Sequence, residues 1–284
     1  MFYSPLRYPG GKGKLASFMK EVIVDNNILD GIYVEPYAGG AGIALALLFE
    51  EYVSRIVIND IDRSIYAFWF SVINHPNEFC KLVYDTPVTV QEWERQKDIQ
   101  LHKEEANILL LGFSTFYLNR TNRSGIINGG IIGGKKQDGT WTLDVRFNKN
   151  ELIRRINKIA YYKNRIEVHN LDTLELIQDV ISGLPNETLI YFDPPYFNKG
   201  QQLYINYYNI NDHQNLYTKI TGELNHKWIL TYDNVQEINE LYKDYRPIEY
   251  SLNYSAGFKT KATEVMFFNN NVVIPDKHPL FDNI

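Results

Sequence analysis

The sequence has little of what secreted, membrane or metal-binding proteins need. It contains one cysteine, Cys80, which excludes an internal disulfide and a zinc site built from cysteines. No apolar run reaches the roughly 18 residues that a membrane-spanning helix requires, and the opening residues, MFYSPLRYPGGKGKL, lack the apolar stretch of a signal peptide. The six histidines show no paired spacing of the kind that binds a metal. These absences favour a soluble protein of a reducing cytoplasm that uses no metal.

Positive charge is also scarce. The formal net charge is −5, which argues against a uniformly basic surface for a nucleic acid. The distribution is uneven, because the window from Thr115 to Arg165 contains eleven Lys and Arg but only three Asp and Glu. This window has a charge of +8, and subtracting it from −5 leaves −13 for the other residues. One basic region in an acidic chain favours a surface that faces a polyanion, although a solvated charged face would show the same pattern.

The order of apolar segments indicates a βαβ unit near the start of the chain. Strands are predicted at Ile32–Glu35 and Arg55–Asn59, with a glycine turn and an apolar helix at about Ile43–Tyr52 between them. Further strands or extended segments are predicted much later, at Thr188–Phe192, Trp228–Tyr232, Ile248–Tyr254 and Glu264–Phe268. The sheet is therefore expected to take strands from both ends of the chain.

The region between these two groups of strands has a different pattern. It is helix-like, and TVQE at Thr89–Glu92 is a capping-box sequence that predicts a helix start. The segment SGIINGGIIGGKKQDG carries six glycines in sixteen residues, a composition that predicts a mobile loop without a core of its own. We therefore predict an α/β fold with a doubly wound, Rossmann-like sheet built from residues 1–70 and 166–284. An inserted, mostly helical domain is predicted at residues 71–165.

Glycines between the first predicted strand and helix indicate a ligand loop. Gly39, Gly40 and Gly42 lie in VEPYAGGAGIALALL, where a backbone without side chains can approach a ligand closely. Asp60 ends the next strand, twenty residues after Gly40, where an acid accepts hydrogen bonds from ribose hydroxyls. Leu45 occupies the third small-residue position of the NAD fingerprint, which disfavours a nicotinamide cofactor. A tight turn without a ligand is the alternative.

The segment RYPGGKGKL, Arg7–Leu15, is close to a phosphate loop but departs from its template. Tyr8 stands where the template has its first glycine, and Leu15 stands where it has Ser or Thr. One interpretation is a glycine turn that presents Lys12 to an anionic group such as a carboxylate. The other is a surface turn before a helix.

The stretch YFDPPY, residues 191–196, ends a buried strand on an acid and two prolines. Ligands bind at the carboxyl edge of a doubly wound sheet, so Asp193 is placed for chemistry. Pro194 and Pro195 have no N–H, so the polar groups of this turn are acceptors only. Such a turn suits an amine on a flat ring, for example a nucleobase stacked on Tyr196. A stiff strand exit with a solvated acid is the alternative.

In combination, these motifs resemble the DNA adenine-N6 methyltransferases of the Dam-like D12 class. RYPGGKGKL is similar to the family's N-terminal motif, EPYAGGAG to its cofactor loop and DPPY to its catalytic tetrapeptide. Their order is the family's alpha arrangement, and the resemblance covers nearly the whole chain. It implies a site-specific enzyme that uses S-adenosyl-L-methionine to methylate N6 of a flipped-out adenine in double-stranded DNA. The resemblance implies a restriction-modification or phage modification system in the cytoplasm of a prokaryotic cell or a phage-infected host, with a cognate restriction endonuclease acting separately.

The resemblance also implies roles for individual residues. The catalytic residues would be Asp193, Pro194 and Tyr196. The cofactor-binding residues would be Tyr8, Lys12, Glu35, Pro36, Tyr37, Gly39, Gly40, Gly42, Asp60, Asp172 and Asp193. The DNA-binding residues would be Arg120, Asn122, Arg123, Lys135, Lys136, Arg146, Arg154 and Arg155. The sequence departs from the family at two places. Thr173 replaces the family's aromatic residue after Asp172, which weakens the case for a contact of this position with the cofactor adenine. YLNRTNRSGI lacks the N-G-L-x-R ending of Dam-type enzymes, so the target need not be GATC.

Other substrates and roles remain as alternatives. Methylation of an RNA adenine or a protein glutamine is disfavoured by the large basic insertion and by Asp193, where glutamine enzymes tend to carry Asn. A DNA-binding regulator on a degenerate methyltransferase fold would have lost Asp193 or the glycine loop, and both are present. His213 is interpreted as a helix-start residue. Tyr204, Tyr207 and Tyr208 would either line a channel for the flipped base or pack in the core.

Overall fold

The computed structural model describes residues 3–7, 15–197, 208–253, 261–276 and 278, without the side chains of 251–253 and 261–263. Contacts within the chain divide it into two units. The first unit comprises Met1–Gly11 and Asp60–Asn170, and the second comprises Lys12–Asn59 and Leu171–Ile284. Each unit therefore combines segments that are far apart in the sequence.

The second unit is built on a β-sheet. The strands of the described residues are β1 (Ile32–Glu35), β2 (Arg55–Asn59), β3 (Ile166–His169), β4 (Thr188–Phe192), β5 (Lys227–Asp233), β6 (Pro247–Asn253) and β7 (Lys261–Phe268), of which β3 belongs to the first unit. The order of the others across the sheet is β2-β1-β4-β5-β7-β6. The strands β2, β1, β4 and β5 are parallel, whereas β7 is antiparallel to both β5 and β6.

The strand order reverses beside β1, which makes the sheet doubly wound. From β1 the chain adds β2 on one side, and β4 and β5 later extend the other side. The register pairs Val34 with Ile190 and Phe192 with Leu230. The carboxyl ends of β1, β4 and β5 are therefore neighbours at the switch point where such sheets bind ligands. The predicted α/β fold class is confirmed, while the inserted recognition domain stays a prediction.

Helices cover the sheet of the second unit. They are α1 (Leu15–Asp25), α2 (Gly42–Phe49), α8 (Thr173–Asp179), α9 (Ile210–Gly222) and α10 (Gln236–Leu241). The sequence of α2, GIALALLF, has no polar side chain, and all its residues from Ile43 onward are buried. At the start of α9, Asn209 and Asp212 form a reciprocal capping box. His213 lies one residue further on, in agreement with its interpretation as a helix-start residue.

The first unit is mostly helical in its described residues. Its helices are α3 (Arg63–Asn74), α4 (Pro76–Asp85), α5 (Val90–Leu101), α6 (Ile108–Thr121) and α7 (Lys149–Tyr161). The predicted start of α5 is confirmed, because the Thr89 side chain accepts a hydrogen bond from the Glu92 amide. Aromatic rings of α3, α4 and α6 pack together in its core, among them Phe68, Phe79, Phe113 and Phe116.

The glycine-rich segment between α6 and α7 folds on itself. Ile131 is buried and forms a β-bridge with Asn122. The Gln137 side chain donates to the Ile132 carbonyl at 2.7 Å and accepts from the Leu143 amide at 2.8 Å. A side chain at Gly133 would place its Cβ 2.5 Å from the Trp141 carbonyl oxygen, so the close turn requires glycine. Hydrogen bonds of the Gln137 side-chain amide hold the described residues of this loop, and the predicted mobility of the loop stays a prediction.

Candidate active site

Asp193 lies directly beyond the end of β4 and is half-buried. The parallel register that pairs Phe192 with Leu230 brings Asp193 beside Thr231 of β5. The Thr231 hydroxyl donates to Asp193 Oδ1 at 3.0 Å, and the Tyr191 hydroxyl lies 2.9 Å from Thr231 Oγ1. The catalytic acid predicted from the sequence is therefore held at the carboxyl edge of the sheet by a side chain of the neighbouring strand.

The residues after Asp193 are also fixed within the second unit. The Phe197 amide donates to Asp233 Oδ1 at 2.9 Å, which ties the turn to the end of β5. Tyr196 is 8% exposed, and its ring centroid lies 6.4 Å from that of Tyr232. Burial, followed by the nearby Asp193 carboxylate, raises the pKa of Tyr196 well above its usual range, so the phenol stays neutral. The turn thus presents a rigid backbone beside a neutral aromatic ring.

The glycine loop between β1 and α2 is shaped by two buried polar side chains. Glu35, the last residue of β1, accepts from the Ala44 amide at 3.0 Å through Oε1. The side-chain amide of Asn59 donates to the backbone carbonyl of Pro36 at 2.9 Å. The backbone amide of Ala38 donates to the backbone carbonyl of Asn59 at 2.8 Å. The conformation of the loop is therefore fixed by side chains at the ends of both β1 and β2.

The same loop contains residues in the left-handed backbone region and has open space beside it. Gly39 and Ala41 both have positive φ angles, 46° and 45°. A Cβ added to Gly42 would meet nothing within 4 Å, so space is open where α2 begins. Loop residues that approach a ligand with their backbone need such space.

A small cavity of about 50 Å³ lies near the start of α8, lined by Asp172, Leu174, Tyr208, Asp212, Asn215 and Leu216. The hydroxyl oxygens of Tyr37 and Tyr208 are 2.8 Å apart, which links the glycine loop to this wall. Burial raises the pKa of Tyr208 to about 12, and that of Tyr37 well above its usual range. Asp172 caps α8 by accepting from the Leu174 amide at 2.8 Å. The second unit contains eight of the predicted site residues, and the Tyr37 hydroxyl connects the glycine loop to the cavity. The eight residues are Glu35, Pro36, Tyr37, Gly39, Gly40, Gly42, Asp172 and Asp193.

Three other predicted cofactor residues are not among the described residues of the second unit. Tyr8 and Lys12 lie outside the described residues. Asp60 belongs to the first unit, where its Oδ1 accepts from the Asp62 amide at 3.0 Å and its own amide donates to the His169 carbonyl at 3.3 Å. Their assignment to the cofactor stays a prediction.

The predicted DNA-binding residues of the first unit divide into two kinds. Asn122 is 0% exposed; its amide donates to the Ile126 and Ile127 carbonyls and accepts from Trp93 Nε1 at 2.6 Å. Glu151 holds Arg154 through two bonds of 2.8 Å and also binds Arg155. In the structure these side chains have partners within the first unit.

The other basic side chains are differently placed. Arg123, Lys136 and Arg146 are exposed, and Lys135 pairs with Glu94 at 2.7 Å. Arg120 donates to the Arg146 carbonyl at 2.7 Å, and burial, assisted by neighbouring arginines, lowers its pKa to about 9. An arginine cluster with few acids around it favours an anion.

Sequence reasoning missed several side chains that shape the site. Thr231, Asn59 and Asp233 are polar residues within or at the end of buried strands, and each binds part of the loop or turn described above. A polar residue inside an apolar strand such as KWILTYD is the signal that could have identified them, because buried polar groups are usually hydrogen-bonded.

A doubly wound sheet with a glycine loop after β1 and an acid after β4 is an arrangement that enzymes with nucleotide-type cofactors use. The family model for the D12 class N6 adenine-specific DNA methyltransferases matches residues 8–256. The chain therefore belongs to this family, as the motifs predicted. Membership implies S-adenosyl-L-methionine as the cofactor.

The comparisons with solved structures and with curated proteins add little to the family match. A solved structure from Listeria monocytogenes, provisionally described as a class I S-adenosylmethionine-dependent methyltransferase, matches with a TM-score of 0.40 and 8% identity. The match covers 95% of this chain and 64% of that protein, so the chain spans less than two thirds of its length. No curated protein shows significant similarity to the chain. Among the described residues, none of the helices has the length and apolar character needed to cross a bilayer.

The side chains near the glycine loop carry the kinds of group that the implied cofactor needs, and the cavity of about 50 Å³ has room for part of that molecule only. S-adenosylmethionine carries a flat adenine, ribose hydroxyls and an ammonium group, which need aromatic or apolar contact and oxygen acceptors. The cavity wall offers the Tyr208 ring with the Asp172 and Asp212 carboxyl groups, and the space at Gly42 admits a close approach of the ligand. The acceptors and the open loop therefore suit this molecule.

Proposed function

We propose that this protein methylates N6 of an adenine that is flipped out of a specific sequence in double-stranded DNA. The observation that supports this most is the position of Asp193: it follows β4 at the switch point, with Oδ1 bound by Thr231. Family membership supplies the reaction class and the adenine-specific target.

The chemistry follows from the poor nucleophilicity of the adenine amine, whose lone pair is delocalised into the ring. The Asp193 carboxylate and the Pro194 carbonyl accept the two N6 hydrogens and favour a pyramidal nitrogen. S-adenosylmethionine, when bound, supplies an electrophilic methyl group on its sulfonium. Fixing the acceptors in advance places the amine for attack, and such positioning is worth about 7–11 kcal/mol in favourable cases.

Binding of the cofactor is assigned to both ends of the chain. Tyr37, Asp172 and the loop Glu35–Gly42 contact it, Tyr8 and Lys12 bind its charged end, and Asp60 accepts from its ribose hydroxyls. The wall formed by Tyr37 and Tyr208 and the open space at Gly42 support this assignment for the second unit.

Recognition of the DNA is assigned to the basic region, as an inserted domain at residues 71–165. An adenine inside a duplex must leave the stack to reach Asp193, and Tyr196 then contacts its ring. The exposed Arg123, Lys136 and Arg146 support phosphate binding by the first unit. A restriction-modification or phage modification system, with a separate endonuclease, is the proposed setting.

The test is to incubate the protein with S-adenosylmethionine and unmethylated DNA and to map N6-methyladenine by sequencing. The wild-type protein should modify one short sequence. Asp193→Ala should reduce the rate at least about a hundredfold, as when a transition-state contact is removed, while cofactor binding by calorimetry is retained. Asp179→Ala, at an exposed acid on α8, is the matched control and should be fully active. Undiminished methylation by Asp193→Ala would refute the assignment.

A further inference from the structure

The hydroxyl group of Thr231 connects two groups of the neighbouring strand β4. It lies 3.0 Å from Asp193 Oδ1 on one side and 2.9 Å from the Tyr191 hydroxyl on the other. Thr231 is 0% exposed and Tyr191 is 3% exposed, so both bonds are inside the second unit. The sequence motif contains Tyr191 and Asp193, whereas Thr231 comes from β5, 38 residues after the acid.

The direction of these bonds follows from the number of protons. A threonine hydroxyl has one hydrogen, and an ionised carboxylate can only accept. Because Thr231 donates to Asp193, its own oxygen accepts from the Tyr191 hydroxyl. Burial, and next the Asp193 carboxylate, raises the pKa of Tyr191 well above its usual range, which keeps Tyr191 protonated as a donor. The order is therefore Tyr191 to Thr231 to Asp193.

Such a chain orients the carboxylate. The last torsion of an aspartate side chain has a broad distribution, so the backbone alone does not define where its two oxygens point. A buried donor to Oδ1 restricts that torsion before any substrate arrives, and a hydrogen bond to a charged acceptor is among the stronger ones. The donors lie on strands of the sheet, whose register keeps them in place.

We infer that Thr231 and Tyr191 are positioning residues for the methyl transfer: Thr231 holds the Asp193 carboxylate in the orientation that accepts the adenine amine, and Tyr191 orients Thr231. This inference rests on the proposed function. Neither residue touches the substrate in this scheme, so removing them should change the rate of the chemical step and leave the binding of cofactor and DNA unchanged.

The experiment compares Thr231→Val, which keeps the shape of the side chain but removes the donor, with Thr231→Ser, which keeps the donor. Thr231→Val should lower kcat about tenfold or more, the size expected when a hydrogen bond to a charged group is removed, with KM for cofactor and DNA within twofold of wild type. Thr231→Ser should restore most of kcat, and Tyr191→Phe should give a smaller decrease than Thr231→Val. Thermal melting of each variant reports whether it is folded.

The outcomes separate the two proposals. If the wild-type protein makes no N6-methyladenine, the proposed function fails and this inference fails with it. If the wild type is active and folded Thr231→Val has the same kcat, or Thr231→Ser does not restore it, only the positioning role is refuted. Should Thr231→Val not fold, Tyr191→Phe decides, because an unchanged kcat in that variant would overturn the proposed chain of donors.

Discussion

The two units hold their candidate functional side chains by different means. In the second unit, Asp193 and Glu35 stand at the ends of neighbouring strands, and each is bound by a group of an adjacent element. In the first unit, the basic residues lie on helices and loops, where the nearest acceptor can be a carbonyl or an acid of the same unit. A strand end therefore fixes a functional group more firmly than a charged surface does.

A count of charged residues does not show how many of them are available to bind DNA. The basic window contains eleven cations, but Arg154 and Arg155 share Glu151, and Lys135 pairs with Glu94. Exposed ion pairs contribute little to stability, so these residues could exchange partners on binding DNA. Arg123 and Lys136, which are exposed, are better placed to bind phosphate at once.

The largest effect is expected from breaking the internal network of the first unit. Asn122→Ala would leave the Trp93 indole N–H and two loop carbonyls without their partner, which should lower the free energy of unfolding by about 3 kcal/mol. Chemical denaturation monitored by Trp fluorescence measures this. Asn128→Ala, at an exposed position of the same loop, is the control and should change stability by less than about 0.5 kcal/mol. A stable Asn122→Ala variant with weaker DNA binding would instead make Asn122 a direct contact.

A smaller effect is expected from removing exposed charge. The double variant Arg123→Gln/Lys136→Gln should keep its melting temperature but bind DNA more weakly. The slope of log affinity against log salt concentration should fall by about 2, since each phosphate that the protein neutralises adds about 0.9 to this slope. Fluorescence anisotropy over a series of salt concentrations gives this slope. The control Lys81→Gln/Lys243→Gln removes two exposed lysines elsewhere, and an equal change in the control would mean that net charge alone explains the effect.

The smallest effect is expected on the pH dependence of stability, through His213 of the second unit. His213 is buried, its Nδ1 lies 2.8 Å from the Tyr232 hydroxyl, and its Nε2 has no hydrogen-bond partner among the described residues. Burial lowers its pKa below 6.5, although Asp212 and Asp233 oppose the shift. At this residue the folded protein therefore binds fewer protons than the unfolded chain. The stability that neutral His213 contributes is fully present above about pH 6.5 and should be lost as the pH falls below that value, by at most about 1.4 kcal/mol per pH unit.

The variant His213→Gln tests this sign. Below about pH 6.5, its free energy of unfolding should depend less on pH than that of wild type, since a titrating group is gone. The control His102→Gln, at an exposed site of the first unit, should keep the wild-type dependence. An identical pH profile for His213→Gln and wild type would contradict the assignment.

For several strands, the sequence predicts the first and last residues correctly. The strands predicted at Ile32–Glu35, Arg55–Asn59 and Thr188–Phe192 have these bounds in the structure, because short apolar runs between turn residues are clear signals. The predicted helix at about Ile43–Tyr52 begins at Gly42 and ends at Phe49. The strand β3 at Ile166–His169 was not predicted, since three of its four residues are only half-buried.

Sequence also located the acid of the candidate site, but not what holds it. DPPY names Asp193 from local chemistry, whereas its contact with Thr231 depends on the pairing of β4 with β5. Asn122 shows the same limit in the first unit. The resemblance of YLNRTNRSGI to the family's recognition stretch implied that Asn122 binds DNA, whereas in the structure its side chain is buried and accepts from Trp93 Nε1.

What the sequence determined by itself is the chemistry: a glycine loop after one strand, an acceptor-only turn after another and a basic region between them, because these properties belong to residue types and their order. What only the tertiary structure decided is which side chains serve that chemistry. Register across parallel strands set Thr231 against Asp193. The fold of the first unit buried Asn122 and gave Arg154 and Arg155 a shared partner in Glu151. Contacts between residues far apart in the chain depend on how elements pair and pack, which no local pattern encodes.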